Sequence, residues 1–195
     1  MTVSTASPQS QGVTALALPF PAASSPAETF RALFKAEASY VWRTLKRLGV
    51  SPRELDDVTH EVFIQVYRRL SDYDPSRPLR PWLFGFAYRM ASDHRKLARN
   101  RYEKMGDEVE RRDERPSAFD QLSQAEDRAL VAAALEALDL EKRAVFVLHE
   151  IDECPIPEVA QALGIPLNTA YSRLRAARER FAEAVRRARL EGGAR

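Results

Sequence analysis

The chain has 195 residues, 45% of them hydrophobic and 30% charged, which fits one ordinary domain or two small ones with a packed core. The single cysteine excludes an internal disulfide, and the chain lacks both a basic signal-peptide start and an apolar run of membrane-spanning length. We therefore expect a cytoplasmic protein without membrane insertion, whose net charge of only +2 does not by itself indicate a partner.

The N-terminal residues 1–27 carry no charge and are rich in Ser, Thr, Ala, Pro and Gln. Such a segment has little apolar surface to bury, so we predict a disordered leader. A helical pattern starts at Glu28, with apolar residues at three- and four-residue spacing up to Leu48, and Gly49 marks its end.

The second helix has a marked start, because Ser51, Pro52 and Glu54 together form the pattern of a capping box. One apolar stripe then runs along it, formed by Leu55, Val58, Val62, Val66 and Leu70. Three prolines predict a loop over 71–81. A third helix is predicted from Pro81 to about Arg101, with inward-facing Leu83, Phe86, Ala87, Met90, His94 and Leu97. Residues 28–101 thus form a small helical domain.

Residues 102–124 mix both charges without an apolar stripe and predict a charged linker. Helical patterns return over 125–138, 141–151, 157–163 and 168–190, and no stretch alternates as a strand would. The expected fold is all-α, with a second small domain over 125–190 and a short tail at 191–195.

Basic side chains are concentrated in two blocks, Arg77–Lys104 and Arg173–Arg195, with an acidic stretch, Asp107–Asp127, between them. Two basic blocks can mark two nucleic-acid-binding faces or merely two solvated helix faces, and charge alone leaves both possibilities open.

The most specific local pattern lies over 156–178 and predicts a helix-turn-helix. Ala160 is small where a second helix must cross closely, and Gly164 suits the sharp turn. The buried stripe of the second helix is expected to include Ala170, Leu174, Ala177 and Phe181. Its outer faces carry groups suited to base edges and phosphates, namely Thr169, Tyr171, Ser172, Arg173, Arg175 and Arg178.

With two domains placed, the sequence resembles the sigma-70 family of RNA polymerase sigma factors, specifically the small extracytoplasmic-function (ECF) group. The resemblance covers roughly Glu28 to Arg187 and rests on the order and spacing of four segments. These segments read DDVTHEVFIQVYR from Asp56, PWLFGFA from Pro81, DHRK from Asp93, and the helix-turn-helix preceded by RAVF from Arg143.

The resemblance implies a factor that binds core RNA polymerase, recognises and melts promoter DNA, and has an anti-sigma protein as a partner. Polymerase binding is then expected at Asp56, Asp57, His60, Glu61, Phe63 and Gln65. Melting and recognition of the near-start element are expected at Tyr73, Arg77, Arg80, Trp82, Arg89, Arg95, Lys96 and Arg99. The six residues of the second helix of the helix-turn-helix would read the upstream element.

Two other classes of protein fit the sequence less well. A helix-turn-helix regulator that never joins polymerase would need a dimer interface or a sensor domain, and the acidic helix beside a basic, aromatic one fits polymerase and melted DNA better. An enzyme is disfavoured because His60, His94 and His149 are scattered and no phosphate-binding glycine loop occurs. His149 and Cys154 alone do not make a zinc site. We therefore expect no catalytic residue, cofactor or metal.

Overall fold

A computed structural model describes residues 25–105 and 122–192, without the side chains of 98–105, 122–126 and 192. Every regular element in these ranges is helical, as predicted. Two short turns also occur, a 3-10 turn at Leu70–Asp72 and a π turn at Val147–Ile151. The helices are α1 (Pro26–Arg47), α2 (Leu55–Arg68), α3 (Leu79–Met105), α4 (Leu122–Glu136), α5 (Leu140–Phe146), α6 (Ile156–Leu163) and α7 (Leu167–Gly192).

The capping box lies at the start of α1 and not at the start of α2. The Ser25 hydroxyl accepts from the backbone N–H of Glu28, and the Glu28 carboxylate accepts from the backbone N–H of Ser25. The predicted box at Ser51 is wrong, because residues 52–54 form a turn and α2 begins only at Leu55, without a side-chain cap. Helix α1 accordingly begins at Pro26, two residues before the predicted start of the helical pattern at Glu28. Residues 1–24 of the predicted leader lie outside the described residues.

The first domain packs α1, α2 and α3 against one another around the predicted apolar stripe of α2. Helix α3 begins at Leu79, before Pro81, because a proline in the first helical turn needs no N–H partner. Leu97 was expected to face inward but is 62% exposed, while Phe84, absent from the predicted stripe, is fully buried. The inward face of α3 is therefore centred on Leu83, Phe84 and Ala87.

The second domain places α5 and α6 against the long α7, with α4 also packed on α7. Gly164 ends α6 in the left-handed conformation at φ 65° and ψ 37°, which confirms the predicted turn. Ala170, Leu174 and Ala177 are buried as expected, and Phe181 stacks on Phe146 at a ring-centroid distance of 4.6 Å. The predicted helix-turn-helix is thus formed by α6 and α7.

The two domains share one core, since α6 packs on α3 and their buried residues form a single apolar cluster. The predicted linker over 102–124 is shorter than expected, because α3 extends to Met105 and α4 begins at Leu122. Asp107–Glu114, the acidic part of that linker, lies outside the described residues. Of the helices in the described ranges, none is long and apolar enough to cross a membrane.

Candidate functional site

Helix α2 carries an exposed acidic face, which we define by Asp56, Asp57, His60, Glu61 and Gln65. The first four of these residues are exposed and Gln65 is half-buried. Asp56 accepts a hydrogen bond from the Trp42 indole at 3.0 Å, so one carboxylate of the face is oriented by α1. The face is available for contact with a basic surface.

Phe63 was predicted to contact polymerase, but it is 2% exposed and packs edge-on against Phe34 at 4.7 Å. Its role is to hold α1 against α2. Sequence reasoning missed Ile64 and Tyr67, which are 50% and 51% exposed beside the acidic face. The sequence could have indicated both residues, because they are large and apolar but lie outside the buried stripe of α2. Exposed apolar side chains of this kind often mark an interaction surface.

A cavity of about 980 Å³ opens beside the loop between α2 and α3. Four of the predicted melting residues line it together, namely Tyr73, Arg77, Trp82 and Arg89. The Tyr73 and Trp82 rings lie 4.9 Å apart, and Trp82 meets Phe86 edge-on at 4.8 Å. The cavity thus has an aromatic wall, in which Tyr73 and Phe86 are buried and Trp82 is half-buried. Its lining carries carboxylates as well as arginines, namely Asp72, Asp74, Asp93 and Glu158.

The charges of this cavity are held in place by local contacts. The Arg89 guanidinium lies over the Phe86 ring at 4.7 Å, and burial, with Arg69 nearby, lowers the pKa of Arg89. In the loop, hydrogen bonds from Ser76 lower the pKa of Asp74, which also pairs with Arg77 at 3.3 Å. Arg69 lines the same cavity and was missed by the sequence analysis, although it directly follows α2.

The remaining predicted melting residues do not join the cavity. Arg80 pairs with Glu37 at 3.2 Å and lies over the Tyr40 ring, so it is directed towards α1. Arg95 and Lys96 are exposed one to two turns further along α3, and Lys96 lies 3.5 Å from Asp93. The side chain of Arg99 lies outside those described. These residues could extend a basic track along α3 but not line the same pocket.

On α7 the predicted DNA-binding residues fall into two groups. Tyr171, Ser172 and Arg175 are exposed at the start of the helix, and Arg175 is the most open, with 85% of its side chain accessible. Arg173 instead pairs with Glu141, and Arg178 pairs with Glu150 at 2.6 Å. Thr169 is half-buried, and its carbonyl accepts from the Ser172 hydroxyl.

Asn168 was not among the predicted DNA contacts, although it is exposed in the first turn of α7. That end of the second helix enters the groove in helix-turn-helix proteins, and an amide side chain can pair with an adenine edge. Its position in the sequence, directly after Leu167 at the start of the second helix, would have been enough to predict Asn168 as a DNA contact.

The histidines and the cysteine show no metal-binding arrangement. His149 Nδ1 lies 2.8 Å from the carbonyl oxygen of Cys154, and Cys154 is buried. Within the described ranges no group of three or more His, Cys, Asp or Glu side chains is placed to hold a metal ion.

Comparison with known families divides the chain in the same way as its structure. The sequence profile of sigma-70 region 2 matches residues 33–101, and that of sigma-70 region 4 matches residues 128–181. The first match contains the acidic face and the first-domain residues of the cavity, and the second contains α6 and the start of α7.

Two characterised proteins illustrate the similarity. The ECF RNA polymerase sigma factor SigL of Mycobacterium tuberculosis is 33% identical over 154 residues, which cover 78% of this chain and 86% of SigL. The RNA polymerase sigma factor CnrH of Cupriavidus metallidurans is 28% identical over 169 residues, covering 82% of this chain and 88% of CnrH.

Among solved structures, the sigma factor RpoE of Bartonella quintana, in complex with the anti-sigma factor NepR, matches with a TM-score of 0.67. Identity there is 19%, over 82% of this chain and 98% of RpoE, so this likeness concerns the fold alone. The matches to SigL and CnrH favour a sigma factor over a regulator that acts without polymerase. The chain belongs to the ECF group of the sigma-70 family and is a non-enzymatic transcription initiation factor that acts with RNA polymerase.

Proposed function

We propose that the first domain, residues 28–101, binds core RNA polymerase and holds melted promoter DNA, and that the second, residues 125–190, reads the upstream element. The observation that carries this proposal is the cavity beside α3. The Trp82 ring, which is half-buried in the wall of this cavity and contacts Tyr73 and Phe86, can stack an unpaired base, and Arg77 and Arg89 can neutralise phosphates. A base extruded from the duplex costs a few kcal/mol, which such a pocket offsets.

The acidic face of α2 is proposed as the polymerase contact. Asp57 and Glu61 point away from the buried stripe, and Ile64 and Tyr67 supply apolar area next to them. This combination of exposed apolar side chains and charges of one sign is typical of a protein interface. Phe63 is buried beneath this face and packs against Phe34 of α1.

The test of the polymerase contact is a charge reversal on that face. We expect Asp57→Arg and Glu61→Arg to weaken co-purification with core polymerase and to lower promoter-dependent transcription, while the fold persists because neither residue is buried. Asp127→Arg, at an exposed position on α4, is the matched control. Unchanged core binding by both variants would remove α2 from the polymerase interface.

The distinction from a plain regulator uses the same reagents. A sigma factor should enable core polymerase to make promoter-specific transcripts that core polymerase alone does not make. Tight, sequence-specific DNA binding by the free protein, with no effect on the transcripts made by polymerase, would contradict the proposal.

The exposed start of α7 is proposed to enter the major groove, with Tyr171, Ser172 and Arg175 directed to the DNA. We further propose that the factor works in the cytoplasm and is held inactive by an anti-sigma protein. The RpoE–NepR complex and the complex of CnrH with the cytosolic domain of CnrY support such a partner, because both contain a related fold with a bound protein, which in the RpoE complex is an anti-sigma factor.

A further inference from the structure

The acidic face of α2 starts at an uncapped helix end. Helix α2 begins at Leu55 without a side-chain cap, and Asp56 and Asp57 follow directly in its first turn. The first N–H groups of a helix have no partner within the helix, so an uncapped first turn opens at little cost. A contact from another helix would therefore restrict these two carboxylates more than α2 does by itself.

The contact from another helix is made by Trp42, on α1. Its indole N–H donates to Asp56 Oδ1 at 3.0 Å, between residues that lie 14 positions apart in the chain. A carboxylate acceptor makes such a bond stronger than one between two neutral groups. The first turn of α2 is thus tied to the middle of the first domain.

The Trp42 ring is itself held in place. It is half-buried and packs against the apolar core, and the Lys46 ammonium, one turn further along α1, lies 5.5 Å from the ring centroid. A tryptophan has only two side-chain torsions and a rigid ring, so little freedom remains once the ring is packed. The indole N–H therefore points to Asp56 in a fixed direction.

The bond orients Asp56 without cancelling its charge. The indole is neutral, whereas Glu37, also on α1, is paired with the Arg80 cation at 3.2 Å. A carboxylate offers about four acceptor sites on its two oxygens, and one N–H occupies one of them. Asp56 is exposed, so a basic partner can bind it while Trp42 holds it.

We propose that Trp42 is a positioning residue of the polymerase contact, and that its hydrogen bond to Asp56 fixes the first turn of α2 in the orientation that core polymerase binds. This inference rests on the proposed function of the acidic face. Trp42 acts through Asp56, so it need not touch polymerase. A carboxylate that is already held loses less freedom when the complex forms, and the bond therefore increases the affinity for core polymerase.

The first experiment measures the Kd of the full chain for core polymerase. Trp42→Phe removes the N–H and keeps an aromatic ring, and we expect it to raise the Kd roughly two- to fivefold, the cost of immobilising a side chain on binding. Asp56→Ala removes both the acceptor and the charge and should raise the Kd further. Asp127→Ala, at an exposed position of α4, is the matched control and should bind as the wild type does.

The double variant Trp42→Phe/Asp56→Ala tests whether Trp42 acts through Asp56. If it does, the double variant binds core polymerase as Asp56→Ala alone does, since no hydrogen bond is left to lose. A further loss in the double variant, equal to that of Trp42→Phe alone, would overturn the proposal. Trp42 would then act through its ring or through the stability of the domain.

Ionic strength separates a positioned charge from an apolar contact. Salt screens charges at a protein surface, so the loss caused by Trp42→Phe should shrink as the salt concentration rises from about 0.1 M to about 0.5 M. The same loss at both concentrations would contradict a positioning role, because neither ring packing nor domain stability depends on the Asp56 charge.

The bond itself is observed in the free protein by nuclear magnetic resonance. The chain has two tryptophans, so an isotope-labelled sample gives two indole N–H signals, and Trp42→Phe identifies the one from Trp42. Asp56→Ala should shift this signal and speed its exchange with solvent, while Asp127→Ala should do neither. An unshifted Trp42 signal in Asp56→Ala would overturn the proposal. A shifted signal with unchanged core binding by Asp56→Ala would instead refute the proposed polymerase contact at Asp56.

Discussion

The arginines at the start of α7 differ in what surrounds them, and this difference assigns them different tasks. Arg175 is almost fully accessible and shares only an exposed ion pair with Glu179 at 3.3 Å. Arg173 is 22% exposed and held by Glu141, which also lies near Tyr88 of the first domain. An exposed pair is worth under about 1 kcal/mol, so Arg175 is released to DNA at little cost.

We therefore expect Arg175→Ala to weaken binding to the upstream element by about 1–3 kcal/mol if this side chain reads a base. Arg173→Ala should cost less, because Arg173 must first leave Glu141. Competition between the selected element and a scrambled duplex measures both losses. An equal loss on the two duplexes for Arg175→Ala would mean a phosphate contact. A larger loss for Arg173→Ala would reverse the assignment.

Burial strongly alters the chemistry of the Cys154 thiol. Burial, with the Glu158 carboxylate nearby, raises the pKa of its thiol from 9.0 to about 12. A raised pKa keeps the thiol protonated to higher pH, and only the deprotonated thiolate is a nucleophile. At pH 8 the thiolate fraction falls from about one in ten to about one in ten thousand.

The native protein should therefore react with iodoacetamide at pH 8 on the order of a thousand times more slowly than the protein unfolded in guanidinium. Because the chain has one cysteine, the amount of label reports this site alone. Comparable rates in the two states would show that the thiol is exposed in solution.

At the scale of elements, the start of α1 depends on a single reciprocal cap. Ser25 and Glu28 satisfy each other's backbone N–H groups, and these bonds lower the pKa of the Glu28 carboxyl. Helix α2 begins without a side-chain cap, and Ser51 contributes its carbonyl there, which accepts from the N–H of Glu54 at 2.9 Å. The two serines are thus a natural pair for comparison.

Ser25→Ala should lower the free energy of unfolding by about 1 kcal/mol, since it removes a formed cap. Ser51→Ala is the control and should have a much smaller effect, because its hydroxyl caps no helix. Chemical denaturation followed by circular dichroism measures both. A larger loss for Ser51→Ala would mean that α2 has a capped start in solution.

At the scale of the whole molecule, Asp152 joins the two domains. The Tyr40 hydroxyl donates to Asp152 Oδ2 at 2.8 Å, and Arg47 Nη1 lies 3.2 Å from Asp152 Oδ1. Burial raises the pKa of Asp152 despite the opposing contributions of Tyr40, Arg47, Arg80 and Arg43, and a carboxyl that leaves this contact returns to its ordinary pKa near 3.8. The packed domains therefore bind the proton more tightly than separated domains do, and acidification through the raised pKa stabilises the contact.

We expect the contact between the domains to be stabilised in the wild type relative to Asp152→Asn as the pH falls from about 7 towards about 4, so that the radius of gyration of the wild type falls relative to that of the variant. The asparagine variant has no proton to bind at this position, so the difference between the two proteins isolates Asp152 from every other titrating group. Small-angle X-ray scattering of both proteins across this pH range measures the difference. Expansion of the wild type on acidification, absent from Asp152→Asn, would reverse the sign and show that the Arg47 ion pair outweighs desolvation.

Several features of this protein were determined by its sequence alone. Helical periodicity, the prolines at 75, 78 and 81, and Gly164 predicted an all-α chain with a helix-turn-helix, because these signals act over a few neighbouring residues. Four cavity residues were also found, since aromatic and basic side chains alternate around the start of α3. The acidic face of α2 followed from its position opposite the apolar stripe.

Tertiary structure decided which side chains of these helices are free to act. The sequence could not show that Phe63 is buried under α1, that Arg173 is paired with Glu141, or that Arg80 faces Glu37. Above all, Gly85 is an unremarkable helix glycine until Ala162 is placed against it. Periodicity fixes which face of a helix is apolar, but contacts between residues distant in the chain depend on how the helices pack, and that packing is set by the whole core.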